Sequence, residues 1–99
     1  MAANRKLTGV IHGRTIERVE PRADGAGWLV RFDDGSIMSV RTAPGTAPAR
    51  LVGRVVKVRQ NDTRLDLDLA DGRTLEFATA EPASSVLLRA PDGTLQYAD

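Results

Sequence analysis

The Asp-Gly pairs Asp34-Gly35, Asp71-Gly72 and Asp92-Gly93 punctuate the 99-residue chain. Asp-Gly is the dipeptide best suited to the backbone of a tight hairpin turn. Trp28, Val30 and Phe32 precede the first pair and Met38 and Val40 follow it. Leu65, Leu67 and Leu69 precede the second, with Leu75 and Phe77 after it. A period of two marks strands buried on one face. The chain is thereby committed to antiparallel hairpins.

The same alternation sets the register. A two-residue Asp71-Gly72 loop would split the large side chains between the two faces of the hairpin. A three-residue loop, Ala70-Asp71-Gly72, pairs Leu67 with Leu75 and Leu65 with Phe77, all on one face. Asp33-Asp34-Gly35 does the same for Val30 with Met38 and Trp28 with Val40. Such a loop is a type I turn closed by a left-handed glycine. Between the hairpins, strand 55–60 is expected to turn at Asn61-Asp62 into 63–70. This would put Val58 opposite Leu65, Val56 opposite Leu67 and Lys57 opposite Asp66. Ile16 and Val19 cannot share a face of a regular strand, which predicts a β-bulge near Glu17-Arg18.

Aligning Gly35 with Gly72 superposes Trp28 on Leu65, Val30 on Leu67, Phe32 on Leu69 and Thr42-Ala43 on Thr79-Ala80. Gly13-Arg14 then matches Gly53-Arg54 after a loop difference of three residues. The expectation is an internal duplication, units 7–43 and 48–80, inside a single domain 1–99 that ends in a hairpin over 85–98. Leu7, Val10 and Ile11, like Pro48, Leu51 and Val52, have helical spacing and predict at most a turn or so of helix each. The expected fold is all-β: a small antiparallel barrel or two-layer sandwich of about seven or eight strands. Its core is expected to hold Ile16, Val19, Trp28, Val30, Phe32, Met38, Val40, Val56, Val58, Leu65, Leu67, Leu69, Leu75 and Phe77. Of 41 hydrophobic residues 13 are alanine, so these fourteen are half of the larger apolar side chains.

Composition then excludes functions. Without cysteine there is no disulfide, thiolate metal site or cysteine nucleophile. His12 is the only histidine, so no second imidazole completes a metal site. Ser36, Ser39, Ser84 and Ser85 lack a nucleophile-elbow context. Asp33, Asp34, Asp66, Asp68 and Asp71 form no calcium loop. The chain is expected to be non-enzymatic, with no cofactor and no metal. It shows neither a signal-like nor a membrane-spanning apolar run, and the expected location is the cytoplasm.

Two features remain as candidate sites. Residues 41–64 carry Arg41, Arg50, Arg54, Lys57, Arg59 and Arg64 against Asp62, for +5, and residues 65–99 sum to −5. The basic segment is a candidate nucleic-acid surface, against the simpler reading that adjacent strands neutralise one another. Exposed aromatic rings for base stacking are nearly missing; Tyr97 alone is expected at the surface. In the tail, Val86-Leu87-Leu88 breaks the alternation, so that strand is buried on both faces or offers an apolar face to a partner. Val86, Leu87, Leu88 and Tyr97 are therefore the candidate protein-interaction residues. The leading expectation is a module that binds a protein, itself or another; the alternative is weak nucleic-acid binding.

The phrasing strand, Asp-Gly, strand, Thr-Ala resembles short uncharacterised single-domain bacterial proteins of the GC-rich proteobacterial type, a resemblance that implies no activity. Arg14-x-x-x-Arg18 also fits the first motif of a bacterial second-messenger-binding barrel. Asp34-Gly35-Ser36-Ile37-Met38-Ser39 lacks the final glycine of the second.

Overall fold

The Asp-Gly turns at Gly35, Gly72 and Gly93 share one geometry. In a computed structural model that describes residues 2–81 and 85–98, Phe32 N–H donates to Ser36 O at 3.0 Å and Gly35 N–H donates back to Phe32 O at 3.1 Å. Leu69 with Arg73 and Gly72, and Ala90 with Thr94 and Gly93, repeat this pair of bonds. The three glycines sit at φ of 89°, 91° and 89°, the left-handed closure of a three-residue loop. In each turn the aspartate side chain accepts the N–H two residues on, at 2.8–3.0 Å.

These turns join β3 (Gly27–Phe32) to β4 (Ile37–Arg41), β6 (Arg64–Leu69) to β7 (Thr74–Ala78), and β8 (Val86–Arg89) to β9 (Leu95–Ala98). The expected registers hold: Val30 faces Met38, Trp28 faces Val40, Leu67 faces Leu75 and Leu65 faces Phe77. With β2 (Thr15–Pro21) and β5 (Gly53–Gln60), the antiparallel order is β7-β6-β5-β2-β3-β4-β8-β9, and the two-residue β1 (Ala2–Ala3) adds to β5. The fold is all-β with one short helix. The sheet curls without closing, and a single bridge between Thr42 and Thr79 joins the ends of β4 and β7.

The halves meet through reciprocal hydrogen bonds. Ala43 N–H donates to Ala78 O at 2.9 Å and Ala80 N–H to Arg41 O at 3.0 Å. On the other side Thr15 pairs with Arg54 and Ile16 with Gly53. Asp33 N–H bonds Thr15 O as Ala70 N–H bonds Arg54 O. Thr15 is therefore the counterpart of Arg54, and the match of Gly13-Arg14 with Gly53-Arg54 is out of step by one residue.

The bulge expected near Glu17-Arg18 lies between Ile16 and Arg18. A second, unexpected one lies between Val55 and Lys57. Val55 and Val58 thus copy the spacing of Ile16 and Val19, and all four are buried. Val56, expected in the core, is the residue the bulge displaces and is only half-buried. The turn after β5 also falls one residue later than expected. Asn61 Oδ1 accepts the N–H groups of both Thr63 and Arg64, so Gln60 pairs with Leu65 and Val58 with Leu67. Arg59, not Lys57, lies opposite Asp66, and Lys57 lies opposite Asp68.

Helix α1 (Arg5–Ile11) exceeds the single turn expected, while residues 48–52 form none. Asn4 caps it by accepting Leu7 N–H at 2.9 Å. Leu7 and Ile11 close the core from above, fully buried. Thr8 Oγ1 accepts Val58 N–H at 2.9 Å, and Asn4 N–H donates to Val58 O at 2.9 Å. Here the helix supplies the bonds that a neighbouring strand would otherwise give to β5. The core also takes in Val55, Val86, Leu88 and Tyr97, whereas Trp28 packs against it half-buried.

Candidate functional site

Four of the aspartates weighed as cation ligands, Asp34, Asp66, Asp68 and Asp71, are occupied by the fold. Asp34 accepts bonds from the hydroxyl and N–H of the buried Ser36, with Arg14 at 3.5 Å. The Ser36 bonds, with Arg14 adding its charge, hold the Asp34 carboxyl below the ordinary range. Asp71 accepts from Arg73 N–H and Nε. Asp66 and Asp68 belong to the ion network described below. Among the described residues no three His, Cys, Asp or Glu side chains form a metal-holding group.

His12 is exposed at the end of α1 and lines an open groove of about 680 Å³ with Arg5, Thr8, Gly9, Val56 and Lys57. Neither a serine nor a carboxylate lines it. Ser36 accepts a bond from Arg14, Ser85 donates to Glu81 O, and Ser39 lies on the outer face of β4. Ser84 is outside the described residues.

The basic residues of 41–64 are dispersed. Arg59 holds Asp68 through two bonds of 2.9 and 2.8 Å and reaches Asp66 at 3.6 Å. Arg64 bridges Asp66 at 3.4 Å and Glu76 at 2.9 Å. Asp66 is only 3% exposed, and these two arginines compensate its burial. The Arg59 bond, helped by the Thr74 hydroxyl, pulls the Asp68 carboxyl below its ordinary range, and Asp68 raises Arg59 in return. Arg41 lies 3.8 Å from Glu81. Arg50 stacks 5.1 Å from the centre of the Trp28 ring. Arg54 and Lys57 are exposed, with no ion pair within 4 Å among the described residues. Of the six basic residues, Arg59 and Arg64 are met by the acidic strands beside them and Arg41 by Glu81, while Arg50, Arg54 and Lys57 have no ion pair among the described residues.

The apolar tail divides by strand alternation after all. β8 runs between β4 and β9, with Val86 and Leu88 turned into the core and fully buried. Tyr97 lies opposite Leu88 and is 8% exposed. Its hydroxyl accepts a bond from Asn4 Nδ2 at 2.9 Å, and Lys6 lies over its ring. The expectation of an exposed Tyr97 therefore fails: β9 closes onto the N-terminal segment, which the sequence does not reveal. Of the four proposed contact residues only Leu87 reaches the surface, 42% exposed.

Leu87 is not alone there. Ladder pairing sets Leu29, Ser39, Leu87 and Ala98 in one outward row across β3, β4, β8 and β9. The next row holds Arg31, Ile37, Arg89 and Leu95, the last 48% exposed. Leu29, Ile37, Leu87 and Pro91 line a cleft of about 440 Å³. Sequence reasoning missed Leu29, Ile37 and Leu95. For Leu29 and Ile37 the signal was available, since they are apolar residues at outward positions of alternating strands; Leu95 shares the parity of the inward Tyr97 and is turned out by the register shift between Leu88 and Arg89.

The equivalent outer face of the second half is different in kind. Where β3 and β4 present Leu29, Ile37 and Ser39, β6 and β7 present Asp66, Thr74 and Glu76 in the same ladder positions. The second face is closed by its own ion network, while the first remains apolar at its centre. No helix is long and apolar enough to cross a membrane among the described residues. No family model, curated protein or solved structure matches the chain.

Proposed function

We propose that this is a non-enzymatic, cytoplasmic bacterial interaction module that docks another protein on the outer face of β3, β4, β8 and β9. The divergence of two otherwise matching outer faces carries this reading. One half closes its surface with Arg59, Arg64, Asp66, Asp68 and Glu76. The other keeps Leu29, Ile37 and Leu87 at the equivalent surface and its extension. Apolar side chains grouped on a strand face that could as readily be charged are the mark of a surface meant to be covered. The arginines of 41–64 give weaker support to nucleic-acid binding, because Arg41, Arg59 and Arg64 already face carboxylates.

The test is affinity capture from host lysate, with and without nuclease, using the wild-type chain and Leu87→Asp. The expected result is a protein retained by the wild type, insensitive to nuclease and lost with the variant. Retention that disappears with nuclease and survives Leu87→Asp would overturn it in favour of nucleic acid.

A further inference from the structure

The charges around the apolar face select among partners. Arg18, Arg31, Ile37, Arg89 and Leu95 form one row across the sheet, and Glu20, Leu29, Ser39, Leu87 and Ala98 the adjacent one. Glu20 is the only carboxylate in these rows, and it is shared by Arg18 at 3.6 Å and by Arg31. Arg89 donates to Gly93 O at 3.0 Å and has no carboxylate partner among the described residues. The two rows therefore hold three arginines against one carboxylate, and Arg89 is the charged residue that lines the cleft. Ile37, which lines it too, lies between Arg31 and Arg89 in the ladder.

Resting on the docking proposal, we infer that the partner segment is acidic and apolar: one or two large aliphatic or aromatic side chains seated against Leu29, Ile37 and Leu87, flanked by an Asp or Glu that meets Arg89. Charge complementarity of this kind sets partner choice and association rate. A second copy of the chain would present the same face, on which three arginines outnumber the single carboxylate Glu20, and is a poor electrostatic complement to it. The guanidinium of Arg89, held by a carbonyl and not by an acid, retains donors for an incoming carboxylate.

The test uses the full chain and three pools of synthetic 12-residue peptides. Each pool carries Leu, Ile, Val or Phe at random alternate positions, with Asp/Glu, Ser or Lys at the others. Binding is followed by fluorescence anisotropy, and light scattering gives the oligomeric state. The expected result is a monomer that binds the acidic pool roughly tenfold or more tightly than the Ser pool, a preference that high salt reduces. Leu87→Asp abolishes that binding. Arg89→Gln weakens it, and Arg89→Glu shifts preference toward the Lys pool, with circular dichroism establishing that each variant is folded. Equal binding of the Ser and acidic pools that is lost with Leu87→Asp overturns the acidic partner and leaves the docking face standing. Binding indifferent to Leu87→Asp, or no binding by any pool, overturns both. A dimer that Leu87→Asp dissociates overturns the acidic partner in favour of self-association.

Discussion

Thr42 stands opposite Thr79 across the bridge that joins the two halves of the molecule. Each is the counterpart of the other, since each follows its own Asp-Gly hairpin by seven residues beyond the glycine. The flanking bonds, Ala43 N–H to Ala78 O and Ala80 N–H to Arg41 O, are likewise exchanged by the symmetry. Such an exchange of bonds arises when two hairpin units of matching pattern cover each other's apolar face.

Removing one of those donors tests the junction. Ala80→Pro deletes the N–H that Arg41 O accepts and is expected to cost about 1–3 kcal/mol. The midpoint of urea unfolding should fall, while Ala47→Pro, in an exposed irregular segment, changes it little. Equal midpoints for the two variants would make the bridge incidental.

Two glycines should respond in opposite directions. A Cβ on Gly27 would lie 2.0 Å from Val40 O and 2.9 Å from Arg41 Cα, backbone atoms that cannot yield. Gly27→Ala should cost about 3 kcal/mol or more, or prevent folding. Gly9 lies within α1 with nothing inside 4 Å of a Cβ. Gly9→Ala should therefore stabilise by about 0.5–1 kcal/mol through helix propensity. Thermal unfolding of both variants decides the matter.

Neighbours on β8 should separate stability from recognition. Leu88→Ala empties a fully buried site and should cost about 2–5 kcal/mol. Leu87→Asp changes an exposed position and should move stability by less than about 1 kcal/mol. Calorimetry showing the two equally destabilised would deny that Leu87 is available to a partner.

Acid should weaken the protein through its paired carboxylates. Asp68, held by Arg59 and Thr74, has its folded-state pKa lowered, as do Asp34 and Glu20. A depressed folded pKa means stability that is present above the unfolded value of about 4 and is lost as pH falls through the folded value. Urea midpoints should accordingly decline below about pH 4, and Asp68→Asn should lower the neutral-pH midpoint while making that decline shallower. An unchanged slope in Asp68→Asn would remove the Arg59–Asp68 pair from the acid response.

Much of the fold could be read in the chain because strand alternation and Asp-Gly turns act locally. The pairs Val30–Met38 and Leu65–Phe77 follow from which residues must share a face. The turn after β5 could not be placed in that way. Asn61-Asp62 and Asp62-Thr63 are comparable as turn residues, and the bonds from Asn61 Oδ1 to Thr63 and Arg64 select the later one. The bulge at Val56 was hidden because three valines, Val55, Val56 and Val58, offer two plausible inward pairs.

By itself, the sequence determined the all-β class, the turns at Gly35, Gly72 and Gly93, the inward faces of the hairpins closed at the first two, and a charge balance with little excess. Only the tertiary structure decided which apolar residues remain at the surface. Val86-Leu87-Leu88 is uniformly apolar in sequence, yet β4 and β9 on either side fix its orientation, bury Val86 and Leu88, and leave Leu87 outside. Tyr97 is drawn inward by Asn4, which is 93 residues away. Leu29, Ile37 and Leu87 form one face for the same reason. They lie on three strands whose order in the sheet is set by long-range pairing, and local pattern carries no information about which distant edge a strand will join.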